Sequence, residues 1–129
     1  MSRRRPAGFT LLEVMVALAI FATVAAAVLT ATGRGLNNAS RLTDLTLAGW
    51  IADNRLTELQ LARPTPTPGR ETQQLHYAGR QWQVESAVEA SSDPGMLRAT
   101  VWVALAEASA RTAPNERALT SLTGFVEVP

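Results

Sequence analysis

At 129 residues the chain has material for one ordinary domain, and zero cysteines exclude a disulfide framework and thiolate chemistry. Its 47% hydrophobic and 18% charged content is that of a folded protein, but the charge is unevenly placed. Three of the twelve basic residues fall within residues 1–8; the remainder carries nine basic against eleven acidic side chains, with no basic stripe for nucleic acid.

Arg3, Arg4 and Arg5 are followed by a turn-prone Pro6-Ala7-Gly8 and then an apolar run. Across the 24 residues from Phe9 to Thr32 the only charged side chain is Glu13. That length exceeds the ~20 residues a helix needs to cross a bilayer. The arginines and the amino terminus flank one end of the run, and only Arg34 follows closely at the other. The positive-inside bias therefore predicts residues 1–8 in the cytoplasm and the chain after about residue 32 outside.

Residues 9–62 read as one nearly continuous helix. Val14 to Leu29 is apolar all round, as a lipid-embedded span requires. Beyond it, Leu42, Leu45, Ala48, Ala52, Leu56 and Leu59 recur at steps of three and four and form one apolar face. Trp50 falls off that stripe and is open to core packing or to partner contact. Gly33 and Gly35 each cost a helix roughly 1 kcal/mol relative to alanine, so the junction at 33–38 is expected to be continuous or locally loosened. Pro64 disfavours helical geometry in the residue before it and ends the helix at Arg63.

After the stiff connector Pro64–Gly69 the hydrophobic period changes from 3.6 to 2. Trp82, Val84, Ser86 and Val88 alternate with Gln81, Gln83, Glu85 and Glu89. Leu97, Ala99, Val101, Val103 and Leu105 alternate with Arg98, Thr100, Trp102 and Ala104. These are half-buried strands, and Asp93-Pro94-Gly95 between them predicts a tight turn and an antiparallel hairpin. Ala78-Gly79 turns a shorter strand, about 71–77, into the first of them. A last strand is expected over roughly 119–128. This region is too small for a roomy core of its own, so its sheet is expected to pack on the Leu42–Leu59 stripe, with Trp82 and Trp102 anchoring the core.

Enzyme chemistry finds little support. His76 is the sole histidine, and a lone histidine on a strand is most often structural. No His/Cys/Asp/Glu cluster has metal-ligand spacing, the Gly33-Arg34-Gly35 triplet lacks the pattern of a phosphate loop, and Asn38-Ala39-Ser40 is a sequon of the kind that arises by chance. The expectation is a non-enzyme, with no catalytic residue, no metal and no cofactor. A basic stretch and apolar run would also suit a secretory signal peptide with a cleavage site among residues 23–33, and the leader is weakly similar to a twin-arginine signal. Against this, a carboxylate in the hydrophobic region costs roughly 2.5–3.5 kcal/mol at the centre of a span, less near its edge.

The stretch Gly8-Phe9-Thr10-Leu11-Leu12-Glu13-Val14 and the apolar residues after it resemble the amino-terminal signature of type IV prepilins and type II secretion pseudopilins. The resemblance implies that a membrane-embedded prepilin peptidase cuts between Gly8 and Phe9 and methylates the new amino terminus, making N-methyl-Phe9. It also implies a role for Glu13. The freed amine of Phe9 is a cation at the membrane end of a helix, and in a filament of axially offset helices it lies beside a neighbour's carboxylate. Two charges that are each costly in lipid then become a pair, and Glu13 is a register device satisfied by assembly.

Residues 47–63, followed by the strand pair "RQWQVESAVEAS" and "LRATVWVALAE", resemble the I-type minor pseudopilin of type II secretion. A major pseudopilin would show a transmembrane proline and a calcium-binding loop near its end. This chain has no proline between Gly8 and Pro64 and no acidic loop in "LTGFVEVP". The expected architecture is α+β. Residues 1–8 are a leader peptide, 9–32 a transmembrane helix, 33–63 a periplasmic amphipathic helix, and 64–129 a small β region packed on it. The family implies a subunit near the tip of the periplasmic pseudopilus that helps initiate it, anchored by a single pass in the inner membrane. Its implied partners are the J- and K-type minor pseudopilins, the major pseudopilin, the prepilin peptidase and the inner-membrane assembly platform. A minor pilin of a type IV pilus, and a secreted soluble β protein with an ordinary signal peptide, are the alternatives.

Overall fold

The computed structural model describes Gly8, residues 10–107 and residues 111–129. Phe9 and the arginines of the leader lie outside the described residues. One helix, α1 (Leu11–Leu61), is followed by four strands, β1 (Gly69–Tyr77), β2 (Arg80–Ala90), β3 (Met96–Leu105) and β4 (Thr120–Glu127). The chain divides into two compact units, one up to Ser40 and one from Arg41 onward.

In the first unit α1 is long and apolar enough to cross a membrane, and no residue of its most apolar stretch is buried. Leu18, Phe21, Val28 and Leu29 are exposed. Its threonines are nonetheless satisfied: the hydroxyls of Thr23, Thr30 and Thr32 donate to the carbonyls of Ala19, Ala26 and Val28 at 2.8–2.9 Å. Hydroxyls bonded within their own helix suit a segment with no water to bond. Gly33 and Gly35 sit inside unbroken helix, so the expected weak junction is continuous.

In the second unit the four strands form an antiparallel meander in the order β1-β2-β3-β4. Both short turns follow their sequences. Tyr77 pairs with Arg80 across Ala78 (φ 50°) and Gly79 (φ 74°), the two positive φ values a type I′ hairpin needs. At the second turn, Met96 N–H donates to the Asp93 carbonyl (3.1 Å) and Asp93 Oδ1 accepts from Gly95 N–H (2.8 Å).

One sheet face packs on the later part of α1. Ala48, Ile51, Ala52, Leu56 and Leu59 meet Trp82, Val84, Val88, Ala99, Val101, Val103 and Val126 in a single core. The expected stripe is shifted: Leu42 is 65% exposed, and Ile51, absent from that stripe, is buried. At 100° per residue the centre of the buried face lies near Ala48, Ile51, Ala52 and Leu59, and Leu42 lies well to one side.

The strands are not uniformly half-buried. β1 is exposed throughout, whereas Glu85, Ala87 and Ala104 are buried on the face away from α1. A turn over 113–117 crosses that second face. Trp82 is fully buried, its Nε1–H donating to the Tyr77 carbonyl at 3.1 Å. Trp102 does not share its core. Paired with Glu85, it lies half-buried on the opposite face, with the Arg70 guanidinium 5.5 Å from its ring.

Candidate assembly surface

The helix start brings Thr10 and Glu13 together. Thr10 Oγ1 accepts from Glu13 N–H at 3.2 Å, and the Thr10 carbonyl accepts from Val14 N–H at 3.2 Å. Thr-x-x-Glu at a helix start is the capping-box pattern, in which the cap hydroxyl satisfies an otherwise unpartnered backbone donor. Glu13 is thereby held in the first turn of α1, where the helix dipole favours a carboxylate. Gly8 is exposed just before the helix, and its partner in the expected cleavage site, Phe9, is outside the described residues.

The second unit is tied together by charged groups. Arg55, on α1, donates from Nε to Ser86 Oγ (3.0 Å), from Nη1 to Glu58 (3.1 Å) and from Nη2 to Glu71 (3.0 Å). One guanidinium therefore joins the helix to β1 and β2, and its side chain is only 14% exposed. Asp44 pairs with Arg80 at the β1–β2 turn. On the other sheet face, Glu85 accepts from Arg70 Nη1 (2.6 Å) and Asn115 N–H (3.1 Å), and Arg117 donates to Gln83 and to the Leu105 carbonyl. These bonds hold the 113–117 turn across the sheet.

None of these roles was anticipated. Arg55 and Glu58 are spaced as a helix-surface pair, but nothing local shows that Arg55 reaches strands 16 and 31 residues away. Glu85 occupies a polar position in an alternating strand, which normally means solvent. The only cue to its burial is the buried alanine two residues on.

His76 lies on β1, where its Nδ1 and Gln81 Nε2 are 3.0 Å apart. Trp50 resolves toward the surface: it is 60% exposed and outside the buried core. Its ring borders a cleft of about 480 Å³ with Ile51, Asn54, Leu75, Tyr77 and Val84.

The comparisons with known proteins divide at nearly the same place as the structure. Residues 3–29 match the prokaryotic N-terminal methylation motif, and residues 42–127 match the family described as type II secretion system (T2SS), protein I. The chain belongs to the type II secretion system protein I family. It is 52% identical over 124 residues to type II secretion system protein I of Pseudomonas aeruginosa, covering 95% of this chain and 96% of the relative. The Escherichia coli protein of the same name is 34% identical over 117 residues, covering 91% and 95%. That of Pectobacterium carotovorum is 40% identical over 79 residues, covering 61% and 65%. The protein I match begins one residue after the second unit does and ends with β4, so it spans the later part of α1 and the whole sheet. The methylation motif contains Gly8, Thr10, Glu13 and most of the apolar part of α1.

Proposed function

We propose that this chain is a minor pseudopilin of type II secretion that joins the periplasmic pseudopilus near its tip and helps to start it. The observation that carries the reading is the pairing of two matches on one chain: a methylation motif on a membrane-length helix, and a protein I match over the folded remainder. In this reading residues 1–8 are a leader removed by prepilin peptidase between Gly8 and Phe9. Phe9 becomes the N-methylated amino terminus. Residues 9–32 cross the inner membrane with the leader on the cytoplasmic side; residues 33–63 continue as helix, and 64–129 form the β region in the periplasm.

Glu13 is the assembly carboxylate. The Thr10 cap keeps it in the first helical turn, four residues after the new amino terminus in sequence, so each subunit carries a cation and an anion offset from one another at the same end of its apolar helix. Either charge alone is costly in lipid, and a neighbour shifted along the filament axis supplies the opposite one. The J- and K-type minor pseudopilins and the major pseudopilin are the neighbours this reading assigns; the inner-membrane platform supports assembly. The chain's work is assembly rather than catalysis.

The deciding experiment is an intact mass of the mature protein made with and without the cognate peptidase. The expected species begins at Phe9 and carries one added methyl group. A mature start within residues 22–35 would support an ordinary signal peptide and reject the pseudopilin reading. Loss of exoprotein release on deletion of the gene, with piliation intact, separates this role from that of a type IV minor pilin.

A further inference from the structure

β1 is an open edge. Its nine residues pair one-to-one with β2 without a bulge, and all nine are exposed. The Gln81 carbonyl accepts from Ala106 N–H, so the Gln81 backbone faces the β3 side of β2. Its partner His76 then belongs to a pair that is not hydrogen-bonded. By the alternation of antiparallel ladders, the backbone groups of Arg70, Thr72, Gln74 and His76 point away from the sheet. Among the described residues no bond to these outward groups occurs. Exposed edges are usually blunted by charged side chains, proline or a bulge. β1 has no proline and no bulge, and its charged residues, Arg70 and Glu71, both lie at its start and are paired with Glu85 and Arg55, leaving 72–77 without any of these devices. At the opposite edge the Gln60 side chain already donates to the Phe125 carbonyl, at 3.1 Å.

The helix-side surface of β1 is also open. Leu75 and Tyr77 are each about two-fifths exposed and share the cleft with Trp50. A strand added beside β1 would place alternate side chains next to this apolar rim. Pairing of the whole edge with a second copy of β1 is poorly matched: in full antiparallel overlap Arg70 meets His76, and Glu71 meets Leu75. The edge therefore fits an extended segment of a different polypeptide, with apolar residues at alternate positions.

We propose that β1 receives an extended segment of a neighbouring pseudopilus subunit as a fifth strand, with Thr72, Gln74 and His76 supplying backbone bonds and the Trp50–Leu75–Tyr77 rim receiving its apolar side chains. This rests on the pseudopilin reading above. Backbone pairing sets the partner's conformation, and the rim sets which residues fit.

The test uses the full-length chain, co-produced with the J-type, K-type and major subunits and extracted in detergent. A photo-crosslinking residue is placed at position 72 or 76, and the crosslinked partner residues are mapped by mass spectrometry. These positions lie about 14 Å apart at ~3.4 Å per residue, so a paired strand is crosslinked at two positions four residues apart. A helix lying along the same edge would be crosslinked at positions about nine residues apart, at 1.5 Å per residue.

In parallel, Gln74→Pro removes an outward N–H without breaking a β1–β2 bond, while Gln74→Ala keeps that N–H. Recovery of the partner is expected to fall several-fold with Gln74→Pro and to hold with Gln74→Ala. The near-ultraviolet circular dichroism of buried Trp82 should be unchanged in both. Crosslinks with helical spacing, crosslinks only to a second copy of this chain, or no crosslink while the other subunits still copurify would each overturn the strand proposal. So would full partner recovery with Gln74→Pro. If the unaltered chain retains none of those subunits, the pseudopilin reading fails, and the strand proposal fails with it.

Discussion

Leu56 lies so close over Gly124 that a Cβ on that glycine would stand 2.7 Å from Leu56 Cδ2. The helix approaches β4 at the only position of that strand without a side chain. Gly124→Ala is expected to destabilise the sheet unit by ~1–3 kcal/mol, the usual cost of overpacking a filled core. Leu56 is itself buried, which limits its room to move aside. Urea unfolding of a fragment lacking residues 1–32 checks this, and that fragment is expected to be soluble and folded. Adding Leu56→Val should recover part of the loss; equal stability of the wild-type and Gly124→Ala fragments would refute the close approach.

The tryptophans should separate sharply. Trp82 is fully buried with a bonded indole N–H, so Trp82→Ala is expected to cost ~3–5 kcal/mol. Trp50 is mostly exposed, and Trp50→Ala should fall within about 0.5 kcal/mol of wild type in unfolding measurements. A large stability loss at Trp50 would mean that its ring is a core group.

Arg55 is expected to tolerate no replacement fully. Arg55→Ala breaks the links to Ser86 and Glu71 and leaves the Ser86 hydroxyl, in a buried residue, without this partner. The expected loss is ~1.5–3 kcal/mol, the range for hydrogen bonds to charged groups. Arg55→Lys keeps the charge but not the planar fork, and should lie between the two. Chemical denaturation midpoints decide this; an Arg55→Lys midpoint equal to wild type would show that charge alone suffices.

On the proposed pseudopilin reading, variants at Glu13 should separate insertion from assembly. Glu13→Ala removes a costly carboxylate, so membrane insertion should be no worse and easier by up to ~3 kcal/mol. Cleavage after Gly8 should persist, because the cut site is unchanged. What is expected to fail is pairing with a neighbour's amino terminus, giving a processed, membrane-resident subunit that crosslinks weakly and supports little secretion. Glu13→Gln should behave alike. Normal crosslinking and secretion in both variants would reject the pairing role.

Glu89 gives a pH signature. Its hydrogen bond to Arg98 Nη2 (2.8 Å), and then the Arg98 charge, hold its carboxyl below the ordinary value of 4.5, with Arg70 adding to the effect. Because the folded pKa is depressed, the pair's stabilisation is present above the unfolded pKa and is lost as pH falls through the folded one. A carbon-detected NMR titration should place Glu89 below the ordinary carboxylate range in wild type and return it there in Arg98→Ala. The pair is solvent-exposed, so the accompanying change in stability should be small. An unchanged Glu89 titration in Arg98→Ala would remove Arg98 as the cause.

The elements whose signals are local were legible in the residues alone. Unbroken apolarity marked the first part of α1, and Pro64 marked the limit beyond which it could not run. Ala78-Gly79 and Asp93-Pro94-Gly95 placed both short turns, because turn geometry depends on a few adjacent residues. The Gly8–Glu13 signature is likewise contiguous, so the membrane-length apolar helix, the α+β class and the family could be read without coordinates.

Only the tertiary structure decided which polar residues are inside. Glu85 stands where alternation predicts solvent, yet Arg70 and a turn 30 residues away enclose it. Arg55 became the tie between helix and sheet, Trp102 was moved off the core it was expected to share with Trp82, and Leu42 was left exposed. For Glu85 and Arg55 the physical reason is the same. Periodicity states which residues of one element share a face, but burial depends on what covers that face, and here the covering groups come from distant parts of the chain.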